Sequence, residues 1–483
     1  MTHQTTDILL TTLNARYRHA AIGLRYLRAN LQELQPRSRI IEFDISQRPL
    51  DIAEIILAQK PQIVGISLSI WNISPSSQLI RLLKRINPSL VVVLGGPEVS
   101  HEQEQQPIIT LADYVVAGEG EVAFLTLCRQ LLAGTPPPNR QIQAPLPDLN
   151  QLTLPYREYT AEDIAHRVIY VEASRGCPYR CAFCLSALDD QVRSFPLAPF
   201  LEEMAHLLDR GVRQFKFMDR TFNLKIESAT TILDFFLHRP ERDIFLHFEV
   251  VPDRLPEAIR QRIAQFPQGG LQLEVGIQTF NQTVLSRIGR KQENEKSEEN
   301  LKWLVQQSHA HIHADLILGL PGESLESIQA SFDRLVKINP QDIQVGILKR
   351  LRGTPIVDHA APFNLLFNPD PPYDLLSSDT LDFPTLQRLR RLARYWDLIG
   401  NSGRFSAFRH HLIQRPSPFE DFLHLSDWLF ATTGRTHKIA LMRLFELVYQ
   451  GMMEVMQVDQ QKAASLIKKE FRASGRGEPP PFI

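Results

Sequence analysis

Between Asp7 and about Cys128, short runs of consecutive apolar residues alternate with stretches whose apolar positions recur every three or four residues. The runs are DILLTTL, IIEFDI, IVGISLSI, VVVLGG and YVVAGEG, with helical segments such as LRYLRANLQEL and LIRLLKRI between them. A strand that is apolar on both faces needs helices on both sides, so the pattern predicts a parallel, doubly wound (Rossmann-type) α/β domain over residues 1–135. Such sheets bind ligands beyond the carboxyl ends of their strands, where ISLS, LGGPE and AGEGE place glycines and hydroxyls. The same residues also suit ordinary βα turns.

Residues 136–165 lose this alternation. GTPPPNRQIQAPLPDLNQLTLPYREYT carries prolines throughout and no helical period, which predicts an extended linker. Strand-like runs then return in VIYVEAS, FKFMDRTF, FLHFEVV, LQLEVGIQ, HADLILGL and IQVGILKRL, each followed by a helical pattern. Repeated βα units of this length within residues 166–361 predict a partial (β/α) barrel of TIM-like kind. Beyond Pro362 the strands fade. FPTLQRLRRLARYWDLIG places Leu386, Leu389, Leu392, Trp396 and Ile399 on one helical face ahead of Gly400, so residues 362–472 read as a mainly α domain. The tail, 473–483, reads as disordered, and no repeat of solenoid period is present.

Composition narrows the function classes. The chain has 483 residues, 53 basic and 54 acidic side chains and a net charge of -1, which gives no electrostatic reason to expect a nucleic-acid partner. No apolar run approaches the roughly 20 residues of a membrane span. MTHQTTDILL lacks the basic flank and apolar segment of a secretion signal, so a cytoplasmic location is expected. Four cysteines cannot build a disulfide scaffold, and three of them lie in RGCPYRCAFC, as Cys177, Cys181 and Cys184. No second cysteine pair or tight Cys/His pair completes a zinc site. Three thiolates on one short loop instead suit a 4Fe-4S cluster, ligating three irons and leaving the fourth open. Cys128, in FLTLCRQLL, reads as a buried apolar residue.

RGCPYRCAFC resembles the CxxxCxxC signature of radical S-adenosylmethionine (SAM) enzymes. LEVGIQTFNQTVLSRIGR, ADLILGLPGES and LKRLRGTPI resemble later segments of that family, in the same order. The resemblance implies that Cys177, Cys181 and Cys184 hold the cluster and that Phe183 packs near the adenine of SAM. It also implies SAM contacts from Glu249, Gln278, Arg290 and Asp315. The family's glycine-rich second-strand motif is replaced by FKFMDRTFN, with Asp219 at a position often acidic in relatives.

The amino-terminal domain resembles the cobalamin-binding domain of one radical SAM class, which includes anaerobic ring cyclases and methyltransferases. Ser67 and Ser69 in GISLSI and Gly95 and Gly96 in LGGPE match its Ser-x-Leu and glycine-pair elements, expected along the nucleotide tail of cobalamin. The Asp-x-His-x-x-Gly motif that supplies a lower cobalt ligand is not matched by TTLNARYRHAAIGLR. His19 lies nearby without the right spacing, so either cobalamin binds without a histidine ligand or the domain has lost it. The carboxy-terminal region resembles a helical extension of unassigned function, whose RFSAFRHHLIQR suits either an anionic substrate or solvent.

Together these resemblances imply an enzyme that reductively cleaves SAM at the cluster to start radical chemistry on a small molecule. Cobalamin would carry a methyl group or assist a rearrangement, and a flavodoxin- or ferredoxin-type protein would supply electrons. The competing readings are a radical SAM enzyme without cobalamin and a non-catalytic iron-sulfur protein. A tRNA methylthiotransferase is disfavoured because there is no second three-cysteine set.

Overall fold

The computed structural model describes residues 6–474. The first domain is a parallel sheet of β1 (Ile8–Asn14), β2 (Ser38–Asp44), β3 (Ile63–Ser67), β4 (Val91–Gly95), β5 (Tyr114–Ala117) and β6 (Gln141–Gln143). Its strands lie in the order β2-β1-β3-β4-β5-β6. Helices α1 (Ile22–Ala29), α2 (Pro49–Ala58), α3 (Ile73–Ile86) and α4 (Glu121–Leu132) cover its two faces, and every residue of β1 is buried, as its unbroken apolar run requires. The order reverses direction between β1 and β3. That switch is where doubly wound sheets open a ligand crevice.

The proline-rich stretch is more than a linker. Its residues 141–143 pair with β5 and extend the sheet, because an extended segment beside an open edge satisfies backbone groups that would otherwise lack partners. Farther on, α5 (Ala161–His166) starts with a capping box between Thr160 and Asp163. It returns to the first domain through a buried ionic network in which Arg25 joins Glu42 (2.8 Å) and Asp163 (2.9 Å), while Arg167 reaches Glu42 (2.6 Å).

The barrel begins at β7 (Ile169–Val171). A short antiparallel ribbon, β8 (Ser174–Arg175) and β9 (Arg193–Ser194), encloses the cysteine loop before α6 (Leu197–Asp209). The chain continues through β10 (Gln214–Phe217), α7 (Ile226–Leu237), β11 (Phe245–Val250), α8 (Glu257–Ile263), β12 (Leu271–Gln278), α9 (Gln282–Arg287), α10 (Asn294–Gln307), β13 (His311–Leu318), α11 (Leu325–Ile338) and β14 (Asp342–Ile347). Six parallel strands in the order β14-β13-β12-β11-β10-β7 form an open, partial barrel. Along β11, β12 and β13 buried residues alternate with half-buried ones. The buried set packs under the helices, whereas the alternate set (His247, Glu249, Glu274, Gln278, His313, Asp315) is polar and lines the lumen.

The carboxy-terminal region has a small hairpin, β15 (Leu366–Phe367) and β16 (Leu375–Ser377), then α12 (Phe383–Leu398), α13 (Ser406–Ile413), α14 (Pro418–Thr433), α15 (Leu441–Glu454) and α16 (Gln460–Ala473). These helices share one apolar core with the barrel, where Trp396 meets Phe332 at 4.8 Å between ring centroids. They also cover the open edge at β14. The Asn401 side chain accepts from Ile343 N–H and donates to Ile343 C=O, both at 2.9 Å, and so occupies positions a neighbouring strand would fill. Arg409, in the basic segment considered for an anionic substrate, donates instead to the carbonyls of Pro340 and Gln341, just before β14, and of Gly400, just after α12. Burial there lowers its pKa, and its place in the fold is structural. Of the tail expected to be disordered, residues 475–483 lie outside the described residues. Among the described residues no helix is long and apolar enough to cross a membrane.

Candidate active site

Gly176 turns the chain from the ribbon into the cysteine loop with φ +87°, and a Cβ there would lie 2.2 Å from the carbonyl oxygen of Gln191. Only glycine fits this close approach. On the other side, Gly289 (φ +66°) would set a Cβ 2.8 Å from Arg180 O, and Ala182 N–H donates to Ile288 O at 2.9 Å. The loop is therefore held between its own ribbon and the turn after α9. All three cysteines are free thiols and open onto one cavity of about 210 Å³, with Cys177 and Cys181 8% and 5% exposed.

Phe183, Glu249, Gln278, Arg290 and Asp315 line the same cavity. Gln278 ends β12 at a bulge with φ +68°, and its buried Oε1 has no hydrogen-bond partner among the described residues. A left-handed, non-glycine residue that aims an unsatisfied acceptor into a cavity stores strain of the kind found at ligand sites. The Arg290 guanidinium donates to Gly276 O and to Gln292 Oε1 (2.9 Å) and lies 3.8 Å from Cys181 Sγ. Burial pushes the Cys177 and Cys181 thiols up, and for Cys181 the nearby guanidinium works the other way.

Charge in the lumen is organised in strand layers. Glu249 pairs with Arg220 at 2.8 Å, but burial dominates and raises its pKa. Burial opposes ionisation of Glu274 as well. There, however, the bond to His247 Nε2 (3.0 Å) and the positive Lys216 bring the carboxyl down to about 2. For His313, burial would lower the pKa, but Asp315 (3.3 Å) and Asp342 (3.6 Å) push it up to about 10. Burial raises Asp315 despite that partner. Sequence reasoning missed Arg220 and Glu274, which also line the cavity. Glu274 was within reach, since it shares the alternate face of LEVGIQ with Gln278.

Asp219 lies elsewhere. It accepts from Ala173 N–H (2.9 Å) and Ser174 Oγ (2.5 Å), and burial brings its carboxyl to about 7, so it anchors the strand that leads into the cysteine loop. Cys128 is fully buried in α4 and its thiol is pushed up to about 12 by desolvation.

A second cavity, about 260 Å³, opens at the strand ends of the first domain. Ser67, Gly95 and Gly96 line it, with α1 and the Gly118–Glu121 loop. A Cβ on Gly23 would meet nothing within 4 Å, so this wall is open because side chains are missing from it. The deep end, at Leu27, Gly65, Val93 and Phe124, is apolar. Ser69 is not part of the lining; its N–H bonds Asn72 Oδ1 (2.9 Å) where the chain turns into α3. His19 Nδ1 is engaged by the Tyr170 hydroxyl at 2.7 Å and is not aimed at this cavity.

The residues present suit the groups that the sequence motifs imply. Three soft thiols beside a cation fit an iron-sulfur cluster, and an unsatisfied amide oxygen and carboxylates across the same cavity fit the polar groups of SAM. The second cavity, glycine-walled at its mouth and apolar at depth, fits an aromatic nucleotide tail.

Comparison with known proteins agrees with this arrangement. Residues 8–127 match the B12 binding domain family and residues 171–335 the radical SAM superfamily, so the chain combines the two domains found together in the radical SAM class that carries a cobalamin-binding domain. Residues 361–482 match a third family, described as a protein of unknown function (DUF4080). The cofactor set of the class is a 4Fe-4S cluster, SAM and cobalamin. An uncharacterized methyltransferase of Pyrococcus horikoshii is 27% identical over 376 residues, covering 71% of this chain and 79% of that one. The cobalamin-dependent radical SAM methyltransferase TokK of Streptomyces tokunonensis is 25% identical over 334 residues, 62% of this chain. The chain spans only 48% of TokK's length. In fold, the chain resembles the methyltransferase TsrM of Kitasatospora setae, solved with cobalamin and a 4Fe-4S cluster bound. The TM-score is 0.63 at 15% identity, covering 97% of this chain and 99% of that one.

Proposed function

We propose that the protein cleaves SAM reductively at a cluster held by Cys177, Cys181 and Cys184, and that it methylates a small molecule with cobalamin held by the first domain. The observation that carries this reading is that the barrel helps to wall the first domain's cavity: Glu172 and Arg175 line it, and Arg175 is two residues from Cys177, which lines the other cavity. When bound, the cluster supplies the electron that breaks SAM and the cobalamin supplies the methyl carrier.

This chain's residues would do the rest. The buried thiols give up their protons as iron binds, and Arg290 favours the thiolate at Cys181. Gln278 Oε1 accepts from a donor on SAM, while Glu249 and Asp315 accept from its ammonium or ribose hydroxyls and Phe183 packs beside the adenine. Ser67, Gly95 and Gly96 leave room for the nucleotide tail. Docking of the two domains excludes water from the space between them. Methyl transfer is the outcome supported by relatives named as methyltransferases. The electron donor is a flavodoxin- or ferredoxin-type protein and the location cytoplasmic.

The test is anaerobic reconstitution with iron, sulfide and cobalamin, then reduction in the presence of SAM. Formation of both 5′-deoxyadenosine and S-adenosylhomocysteine supports radical methyl transfer. 5′-Deoxyadenosine alone, with no cobalamin retained, would make the protein a cobalamin-free radical SAM enzyme. An intact cluster with neither product would leave electron transfer or sensing.

A further inference from the structure

The β5–α4 loop of the first domain, Gly118–Glu121, reaches into the base of the cysteine loop. Glu119 binds both arginines of the ribbon that closes it: Oε2 accepts from Arg175 Nη1 at 2.6 Å and Oε1 from Arg193 Nη2. Arg175 and Arg193 are themselves paired across the ribbon. Arg175 also meets Glu121 (2.8 Å) and Glu172 (2.9 Å) and covers the Tyr26 ring at 4.6 Å, and Arg193 meets Asp189 (2.9 Å). Asp189 in turn accepts the Cys177 N–H at 2.9 Å through its backbone carbonyl. One carboxylate thus connects the mouth of the cobalamin cavity to the chain on both sides of the cluster loop.

The cluster is acidic in excess. Four carboxylates (Glu119, Glu121, Glu172 and Asp189) face two guanidinium groups, and Glu121 Oε2, on a side chain 6% exposed in the cavity wall, has no hydrogen-bond partner among the described residues. An unsatisfied buried acceptor favours a ligand that brings a donor, such as a hydroxyl or amide N–H. A ligand that satisfies Glu121 lies against Arg175 and draws on the same guanidinium that Glu119 holds in place. Filling one cavity therefore bears on the ribbon that shapes the other.

We propose that Glu119 is a positioning residue that couples the two cofactor sites, so that occupancy of the first-domain cavity sets the geometry of the cysteine loop and tightens SAM binding there. This rests on the proposed use of cobalamin. A second interdomain clamp provides the contrast. Glu102 pairs with Arg350 at 2.9 Å and accepts from Gly353 N–H at 3.0 Å, but it lines neither cavity and does not touch the ribbon. It docks the domains without the coupling.

The experiment uses the full chain with its cluster reconstituted. SAM affinity is titrated through the EPR signal of the reduced cluster, with and without hydroxocobalamin, and cobalamin retention and iron content are measured separately. In the unaltered chain cobalamin should tighten SAM binding about fivefold or more, and SAM should tighten cobalamin binding by the same factor. Glu119→Gln, which keeps shape and removes charge, and Glu119→Ala should bring that factor to within about twofold of unity, with iron content unchanged. Glu102→Gln should retain it. A factor unchanged in both Glu119 variants, absent from the unaltered chain, or lost equally in Glu102→Gln overturns the proposal. If cobalamin does not bind the unaltered chain at all, the functional reading fails with it; binding without coupling sinks this inference alone.

Discussion

The two cavities are built on opposite principles. The one in the barrel is made of side chains: thiols, carboxylates, an amide and guanidinium groups converge on it from the cysteine loop and four strand ends. The one in the first domain has glycines in its wall, with open space where a Cβ would stand at Gly23, and its deep end is apolar. A reactive centre needs directed polar groups, each with its charge set by neighbours, whereas a pocket for a large cofactor tail needs room and close backbone approach. Substitutions should therefore separate the two cleanly.

The largest separation should come from Cys181→Ala. Iron should fall from about four per chain to near zero, and 5′-deoxyadenosine formation with it, while cobalamin retention stays close to that of the unaltered chain. Metal analysis and absorbance of one preparation check both halves. Gly23→Leu should do the converse. It places a side chain in the open wall, so cobalamin affinity should drop at least about tenfold, roughly 1.4 kcal/mol, with cluster content intact. Equal loss of iron and cobalamin in either variant would erase the contrast.

Gln278→Gly sharpens the comparison within the barrel cavity. Glycine relieves the positive φ, so the chain should gain about 1 kcal/mol of stability, while loss of the unsatisfied acceptor should weaken SAM binding about tenfold. Chemical denaturation and SAM titration should move in opposite directions. The smallest effect should be on pH dependence. His313 has a folded pKa raised to about 10 from an ordinary 6.5, so its contribution is fully present below about 6.5 and is lost as pH rises through 10. Thermal stability should decline between those limits, and the decline should be shallower in His313→Gln. The first domain's cavity has no comparable imidazole in its lining and should not share this dependence.

Alternation of apolar and helical segments was enough to read both sheets, apart from the edge strand β6 in the proline-rich stretch, and the helical end, since burying a strand on two faces leaves a continuous apolar run. The residues of the cysteine cavity were legible for a related reason: a loop of three thiols stands out chemically, Gln278 ends β12, and Asp315 lies on the polar, alternate face of β13. Glu274 could have been read from the face it shares with Gln278, whereas Arg220 lies in the turn after β10, where no strand alternation says which way a side chain points. Asp219, at a position often acidic in relatives, holds the end of the first barrel strand through Ala173 and Ser174. Ser69 matched a motif that the chain turns away from the cavity.

The sequence by itself determined which residues form strands, which loop gathers thiols and which positions lack side chains, because these depend on local pattern and residue type. Only the tertiary structure decided that the open edge of β14 is closed by Asn401 and the helical domain, and that Arg409 is engaged by backbone carbonyls rather than left for a substrate. It alone brought Glu119 onto Arg175 and Arg193. Most of these pairings join residues more than fifty positions apart, and their partners are chosen by how whole elements and domains dock, which no local periodicity encodes.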